Sequence, residues 1–109
     1  MMFILSIGSD PDILNRRSSV LAEAGYAIVS LSDMRKAAEK IANEEFDMVL
    51  LCSSLAEEDC RQLVNMSRRH RPFMPVILLP AGATEDDMRR LICDAVGDTV
   101  LGRARSNVA

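Results

Sequence analysis

One short apolar run organises the chain, and it lies within the stretch Glu45-Phe46-Asp47-Met48-Val49-Leu50-Leu51-Cys52-Ser53-Ser54-Leu55. Residues 48–52 are continuously apolar and have polar neighbours on both sides. A strand that is buried on both faces of a parallel sheet has this continuous pattern, whereas a half-exposed strand alternates. The run is therefore predicted to be the central strand of a parallel sheet. Ligands of open parallel sheets bind just beyond the carboxyl ends of the strands, which here directs attention to Cys52, Ser53 and Ser54.

The segments on both sides of this run alternate between strand and helix patterns. The predicted strands are residues 3–7, 26–31, 48–52, 76–79 and 99–101. Four predicted helices separate them: one between Asp10 and Gly25, one after Ser32 or Asp33, one from Ser54 to Arg69, and one from Thr84 to Gly97. Such alternation predicts an α/β domain with parallel strands, because βαβ crossovers are almost always right-handed.

Three helix starts are predicted from capping residues. Asp10 stands before Pro11 and is expected to be an N-cap. Ser54 with Glu57, and Thr84 with Asp87, have the spacing of a capping box, in which a hydroxyl and an acidic side chain bond reciprocally to the backbone.

Composition narrows the class of protein. The chain has 109 residues, a formal net charge of -3 and 4% aromatic residues, which argues against a nucleic-acid binder. The three cysteines lack zinc-like spacing, and the amino terminus lacks the pattern of a signal peptide or a membrane span, so we expect a cytoplasmic protein without membrane contact. One domain is predicted over residues 1–102, with residues 103–109 as a C-terminal tail.

Three phrases of the sequence resemble the receiver domain of two-component response regulators. They are Ala24-Gly25-Tyr26, Phe46-Asp47-Met48-Val49-Leu50-Leu51 and Pro75-Val76-Ile77-Leu78-Leu79, in the family's order and at its separations. The resemblance covers nearly the whole chain. It implies a CheY-like, flavodoxin-like fold, a three-layer sandwich with a five-stranded parallel sheet of order 2-1-3-4-5.

The same resemblance locates the family's phosphorylation site, and this sequence departs from it throughout. The family has an acidic pair that holds Mg²⁺ after strand one, a phosphoacceptor aspartate ending strand three, a hydroxyl ending strand four and a lysine ending strand five. The corresponding residues here are Gly8 and Ser9, then Cys52, Pro80 and Gly102. Asp10 is the one carboxylate left in the acidic loop, and alone it cannot supply the oxygen shell that Mg²⁺ prefers. The resemblance thus implies a degenerate pseudo-receiver with no metal and no other cofactor.

Three functions stay open at this point. The leading one is a non-enzymatic signalling module that acts by contact with an unknown signalling protein. The second is an atypical receiver that takes part in a phosphorelay through some other residue. The third is a thiol redox switch at Cys52, which has no basic neighbour in sequence and is therefore expected to be an inert buried thiol, unless a helix beginning near Ser54 lowers its pKa.

The end of the chain raises a question about the sheet. Family members end with a fifth helix beside helix one, whereas only residues 102–109 follow Leu101 here, so the fifth helix is expected to be absent. Soluble proteins rarely expose large apolar patches, so the uncovered face is expected to bind a second copy or a partner protein through Ile7, Val100 and Leu101. The alternatives are a shifted first helix or a natural chain that continues beyond residue 109.

Overall fold

The computed structural model describes residues 2–80 and 82–100, which form an α/β domain. Its elements in chain order are β1 (Phe3–Ile7), α1 (Pro11–Glu23), β2 (Ala27–Leu31), α2 (Met34–Asn43), β3 (Met48–Cys52), α3 (Glu57–His70), β4 (Val76–Leu79) and α4 (Glu85–Val100). The strands pair in parallel in the order β2-β1-β3-β4. The predicted flavodoxin-like α/β class and the order of these four strands are confirmed.

Strand β3 lies at the centre of the sheet, as its apolar run predicted. All of its residues are buried, and it pairs with β1 on one side and β4 on the other. Alternate side chains point to opposite faces, because successive residues of a strand do so. Val49 and Leu51 belong to one core cluster, and Met48 and Leu50 belong to the other. Both faces of the sheet are apolar for this reason, and both must be covered by helices to be shielded from water.

Two helices cover each face of the sheet and complete a three-layer sandwich. Ala37 of α2 and Leu63 of α3 pack in the cluster on the first face. Leu21 of α1 and Ile92 of α4 pack in the cluster on the second face. The sequence had led us to expect an uncovered face beside the first helix, but α4 lies there.

The position of Ile7 also corrects the expected interaction surface. Ile7 is fully buried, and it belongs to the cluster beneath α2 and α3 rather than to the α1 face. It therefore presents no surface to a partner in the folded chain. Val100 ends α4, and Leu101 lies outside the described residues.

The fifth strand predicted at residues 99–101 is wrong where the structure describes it, because Thr99 and Val100 belong to α4. The prediction had assumed that Gly97 ends the helix. Glycine inside a helix costs only about 1 kcal/mol relative to alanine. A cost of this size does not by itself end a helix that Met88 and Ile92 already hold against the sheet.

Two of the predicted capping arrangements are confirmed. Asp10 is the N-cap of α1, and its Oδ1 accepts a hydrogen bond from the backbone N–H of Asp12 at 3.0 Å. At the start of α4, the backbone N–H of Thr84 donates to Asp87 Oδ2 at 3.0 Å, and the N–H of Asp87 donates to Thr84 Oγ1 at 3.1 Å. No helix among the described residues is long and apolar enough to cross a lipid bilayer.

Candidate functional site

The carboxyl ends of β1, β3 and β4 meet at one edge of the sheet, and most of the predicted site residues lie there. The backbone N–H of Gly8, just after β1, donates to Leu31 O at 3.2 Å, and the N–H of Ser53, just after β3, donates to Leu79 O at 3.0 Å. This edge of the sheet therefore brings four of the predicted site residues close together: Gly8, Ser9, Cys52 and Pro80. Gly102 lies outside the described residues.

Gly8 lies directly against the end of β3. A Cβ atom added to Gly8 would lie 2.8 Å from Cys52 Cβ and 3.3 Å from Leu14 Cδ2. Contacts as short as 2.8 Å do not occur between ordinary packed side chains, so only glycine fits this backbone position. The loop after β1 therefore closes over Cys52 where an acidic side chain would be needed to bind a metal.

Two serines tie the loop after β1 to the loop after β3. Ser9 Oγ donates to Ser54 O at 3.1 Å, and the backbone N–H of Ser9 donates to Ser54 Oγ at 3.4 Å. Ser54 Oγ in turn donates to Cys52 Sγ at 3.1 Å. The Ser54 hydroxyl therefore both accepts and donates hydrogen bonds within the site.

The capping box predicted at Ser54 is wrong for the same reason. Helix α3 begins at Glu57 with Ala56 as its N-cap, and no side chain caps it. A hydroxyl that bonds to the thiol of Cys52 is not available to the first turn of α3.

The residues at this edge do not fit a magnesium ion. Asp10 Oδ1 accepts from the first turn of α1, Gly8 has no side chain, and Cys52 offers sulfur, whereas Mg²⁺ prefers oxygen ligands. Across the part of the chain that the structure describes, no three His, Cys, Asp or Glu side chains are grouped closely enough to hold a metal ion.

The structure adds Arg17 to the site. Its pairing with Arg16 in the sequence had suggested an ordinary solvated helix face, but its side chain is buried. Its side chain is 5% exposed, and Nη2 donates to Pro80 O at 2.8 Å. Arg17 occupies the inward face of α1 together with Leu14 and Leu21. The spacing of these three residues is the signal that would have revealed it, because positions i, i+3 and i+7 share one face of a helix.

Arg17 and Ser54 set the chemistry of Cys52. Burial raises the pKa of the Cys52 thiol, but hydrogen bonding from Ser54 and the positive charge of Arg17 act in the opposite direction and hold the pKa below its ordinary value. Burial and the charge of Asp59 raise the pKa of Cys60. Cys93 is exposed on α4. Of the two buried thiols, only that of Cys52 has an environment that favours the thiolate.

Solved structures similar to this chain are response regulator receiver domains. A CheY-like receiver domain from Methanospirillum hungatei is 20% identical, with a TM-score of 0.83 over 94% of this chain and 98% of that one. The signal receiver domain of an HD domain-containing protein from Pseudomonas fluorescens is 19% identical, with a TM-score of 0.81 over 95% and 93% of the two chains.

A third similar structure comes from a protein that binds a metal. The receiver domain of a sensor histidine kinase from Pseudomonas aeruginosa has a magnesium ion coordinated in its active site cleft. It is 15% identical to this chain, with a TM-score of 0.78 over 88% of this chain and 98% of that one. A scan against models of protein families and a search of curated proteins found no match. At these identities the likeness concerns the fold: this chain has the fold of CheY-like response regulator receiver domains.

Proposed function

We propose that this protein is a receiver-like signalling module that acts by protein contact and is not itself phosphorylated. The fold supports this proposal, because similar solved structures are response regulator receiver domains. The observation that carries the proposal is the close packing of Gly8 against Cys52, with a projected Cβ–Cβ distance of 2.8 Å.

This packing replaces the two groups on which phosphoryl transfer to a receiver depends. The acceptor must be an oxygen nucleophile at the end of β3, where this chain has the thiol of Cys52. A metal must neutralise the charge of the phosphoryl oxygens, and the loop containing Gly8 leaves no room for the carboxylate that would hold it. Pro80, at the end of β4, offers a backbone carbonyl to Arg17 and has no hydroxyl.

The first experiment tests for phosphorylation. The full chain is incubated with Mg²⁺ and acetyl phosphate, and its intact mass is recorded beside that of a receiver domain with an acceptor aspartate. We expect a phosphoryl adduct on the control and none on this chain. A stable adduct on any residue here would overturn the proposal and favour the alternative of an atypical receiver in a phosphorelay.

A second measurement addresses metal binding directly. Amide chemical shifts of Gly8, Ser9 and Cys52 are followed while Mg²⁺ and beryllofluoride, a phosphoryl analogue, are added. We expect no saturable shifts at these residues. Saturable shifts would show a working metal and phosphoryl site and would contradict the proposal.

The contact role needs its own test. The folded chain and a matched Leu50→Asp variant, which places a charge in the buried core, are used side by side to capture proteins from the source cell. We expect the folded chain alone to retain a sensor kinase, a phosphotransfer protein or an output domain of a response regulator. Retention of none of these classes would contradict a role in signalling.

A further inference from the structure

The strongest feature outside the proposed function is a buried cation that faces a thiol. Arg17 is 5% exposed, and no carboxylate among residues 2–80 and 82–100 lies within ion-pair distance of its guanidinium. Its hydrogen bond to Pro80 O uses one of several N–H donors and involves an acceptor without full charge. A buried charge is costly unless it is paired, so a negative charge in reach of Arg17 is stabilised.

Cys52 is the group that can supply this charge. Arg17 lies at the same sheet edge, where it bonds to the residue after the strand partner of Cys52, and its positive charge lowers the pKa of the Cys52 thiol. Ser54 Oγ donates to the same sulfur at 3.1 Å, a bond in which the sulfur is the acceptor. Thiolate sulfur accepts hydrogen bonds far better than thiol sulfur, and it is the reactive form of cysteine. Ser54 therefore donates to this sulfur, and Arg17 lies beside it, bonded to the residue that follows Leu79, the strand partner of Cys52.

The Cys52 thiol is buried directly beneath an exposed residue, Ser54. Cys52 itself is 2% exposed, whereas Ser54, which bonds to it, is exposed. A bulky reagent does not fit against a sulfur enclosed in this way. A small neutral oxidant such as hydrogen peroxide needs only a local displacement of the Ser54 side chain to reach it.

We infer that Cys52 is an oxidation site for hydroperoxides, where Arg17 and Ser54 hold the thiolate and then bind the sulfenate that hydrogen peroxide forms from it. The sulfur attacks one peroxide oxygen, so an S–O bond forms while the O–O bond breaks. The second oxygen leaves as hydroxide with the electron pair of that bond, and it takes the proton of the sulfenic acid to give water and the sulfenate. Sulfur is oxidised and the peroxide is reduced.

The product is expected to remain a sulfenate and not to form a disulfide with Cys60. Alternation along β3 directs Cys52 to the face of Met48 and Leu50, which α1 and α4 cover. Cys60 packs in the cluster on the other face, beneath α2 and α3. The two side chains therefore leave the backbone toward opposite faces of the sheet, although the charge of Cys52 still acts on the pKa of Cys60.

This inference goes beyond the proposed function and is tested by different chemistry. The reduced full chain is treated with hydrogen peroxide, the oxidation is stopped at intervals with catalase, and the chain is then unfolded in urea with dimedone, which traps the sulfenic acid on each cysteine once it is exposed. The adduct on each cysteine is quantified by peptide mass spectrometry. We expect Cys52 to be labelled faster than the exposed Cys93 and the buried Cys60, both of which serve as internal controls.

Variants of the arginine separate its charge from its packing. Arg17→Met keeps the length and apolar bulk of the side chain, and its loss of charge is expected to slow the labelling of Cys52 several-fold at neutral pH, because a higher thiol pKa leaves less thiolate. Arg16→Met, at the exposed neighbouring position, is the matched control and is expected to leave the rate unchanged. Arg17→Lys is expected to recover part of the rate.

Two results would overturn the inference. One is faster labelling of Cys93 than of Cys52 in the wild-type chain, and the other is an unchanged rate in a folded Arg17→Met variant. If Arg17→Met does not fold, the pH dependence of Cys52 labelling in the wild-type chain decides the matter. A midpoint at or above the ordinary cysteine value of about 8.5 would then refute the role of Arg17.

Discussion

Adding a single methyl group at Gly8 is expected to destabilise the fold, because the new carbon has no space. Its position lies 2.8 Å from Cys52 Cβ and 3.3 Å from Leu14 Cδ2. The Cβ of Cys52 is attached to the backbone of the central strand and cannot move alone, so the loop after β1 must shift by several tenths of an ångström. Overpacking of this kind costs about 1–3 kcal/mol.

Two other glycines provide matched controls, because each isolates a different effect of the same substitution. A Cβ at Gly82 would meet nothing within 4 Å, so Gly82→Ala is expected to be neutral or to stabilise by up to about 1 kcal/mol. Gly25 also has open space, but its φ of 98° is strained for alanine, so Gly25→Ala is expected to cost about 1–2 kcal/mol. Only Gly8→Ala tests steric contact.

Urea denaturation of the three variants and two double variants would provide the evidence. Cys52→Gly removes the obstructing carbon, so Gly8→Ala is expected to cost less in that background, with a coupling of about 0.5–3 kcal/mol. Cys52→Ala retains the carbon and is expected to give no such relief. The reasoning is refuted if Gly8→Ala unfolds at the same urea concentration as Gly82→Ala, or if both Cys52 backgrounds respond alike.

Three further predictions concern the core, a helix cap and the thiol. Leu50→Ala, at a buried position on the central strand, is expected to lower the free energy of unfolding by about 2–5 kcal/mol in urea denaturation, and a loss below that range would contradict the central placement of β3. Asp10→Ala should cost about 1 kcal/mol by removing the cap of α1, whereas Asp10→Asn should retain most of the stability. Because the folded pKa of Cys52 is below its unfolded value of about 8.5, its stabilising contribution should be complete above that value and be lost as pH falls through the folded pKa. Cys60 is replaced by serine in both proteins, because the charge of Cys52 acts on its pKa. The difference in unfolding free energy between Cys60→Ser and the Cys52→Ser, Cys60→Ser double variant should therefore grow as pH rises toward that value, and a difference that is flat with pH would contradict the prediction.

The sequence was most informative where the chemistry is local. The continuous apolar run of β3 predicted its burial on both faces, and the strand has the bounds expected, Met48–Cys52. The side chains of Asp10 and of the Thr84–Asp87 pair bond to backbone groups within a few residues, so their caps could be predicted from spacing alone.

The sequence was least informative where two distant segments compete for one group. Ser54 has the right spacing to cap α3, but its hydroxyl bonds to Cys52, which only the packed sheet edge reveals. Gly97 was expected to end α4, but the helix continues to Val100, because a glycine inside a helix costs only about 1 kcal/mol relative to alanine and does not by itself stop one that is already packed on the sheet. Local propensity was outweighed by tertiary packing in both cases.

Arg17 shows how this difference bears on the site. In sequence, no basic residue stands beside Cys52, which favoured an inert thiol. In the fold, Arg17 of α1 lies at the end of β4, where its positive charge lowers the pKa of the Cys52 thiol. The position of one charged residue within an apolar helical stripe was the available signal, since burying a guanidinium without a carboxylate needs a compensating group nearby.

The residues at this edge form one coupled arrangement rather than a set of separate losses. A carboxylate introduced by Cys52→Asp would meet the buried guanidinium of Arg17 and pair with it, because that guanidinium has no carboxylate partner among the described residues. An acidic side chain introduced at Gly8 would collide with the end of β3. Neither change alone would gather the oxygen ligands that a metal requires. The carboxylate at position 52 would pair with Arg17, and the one at position 8 would collide with Cys52. Gly8, Arg17 and Cys52 are therefore best understood together: glycine lets the loop close over the sulfur, and arginine stabilises the charge that this sulfur can carry.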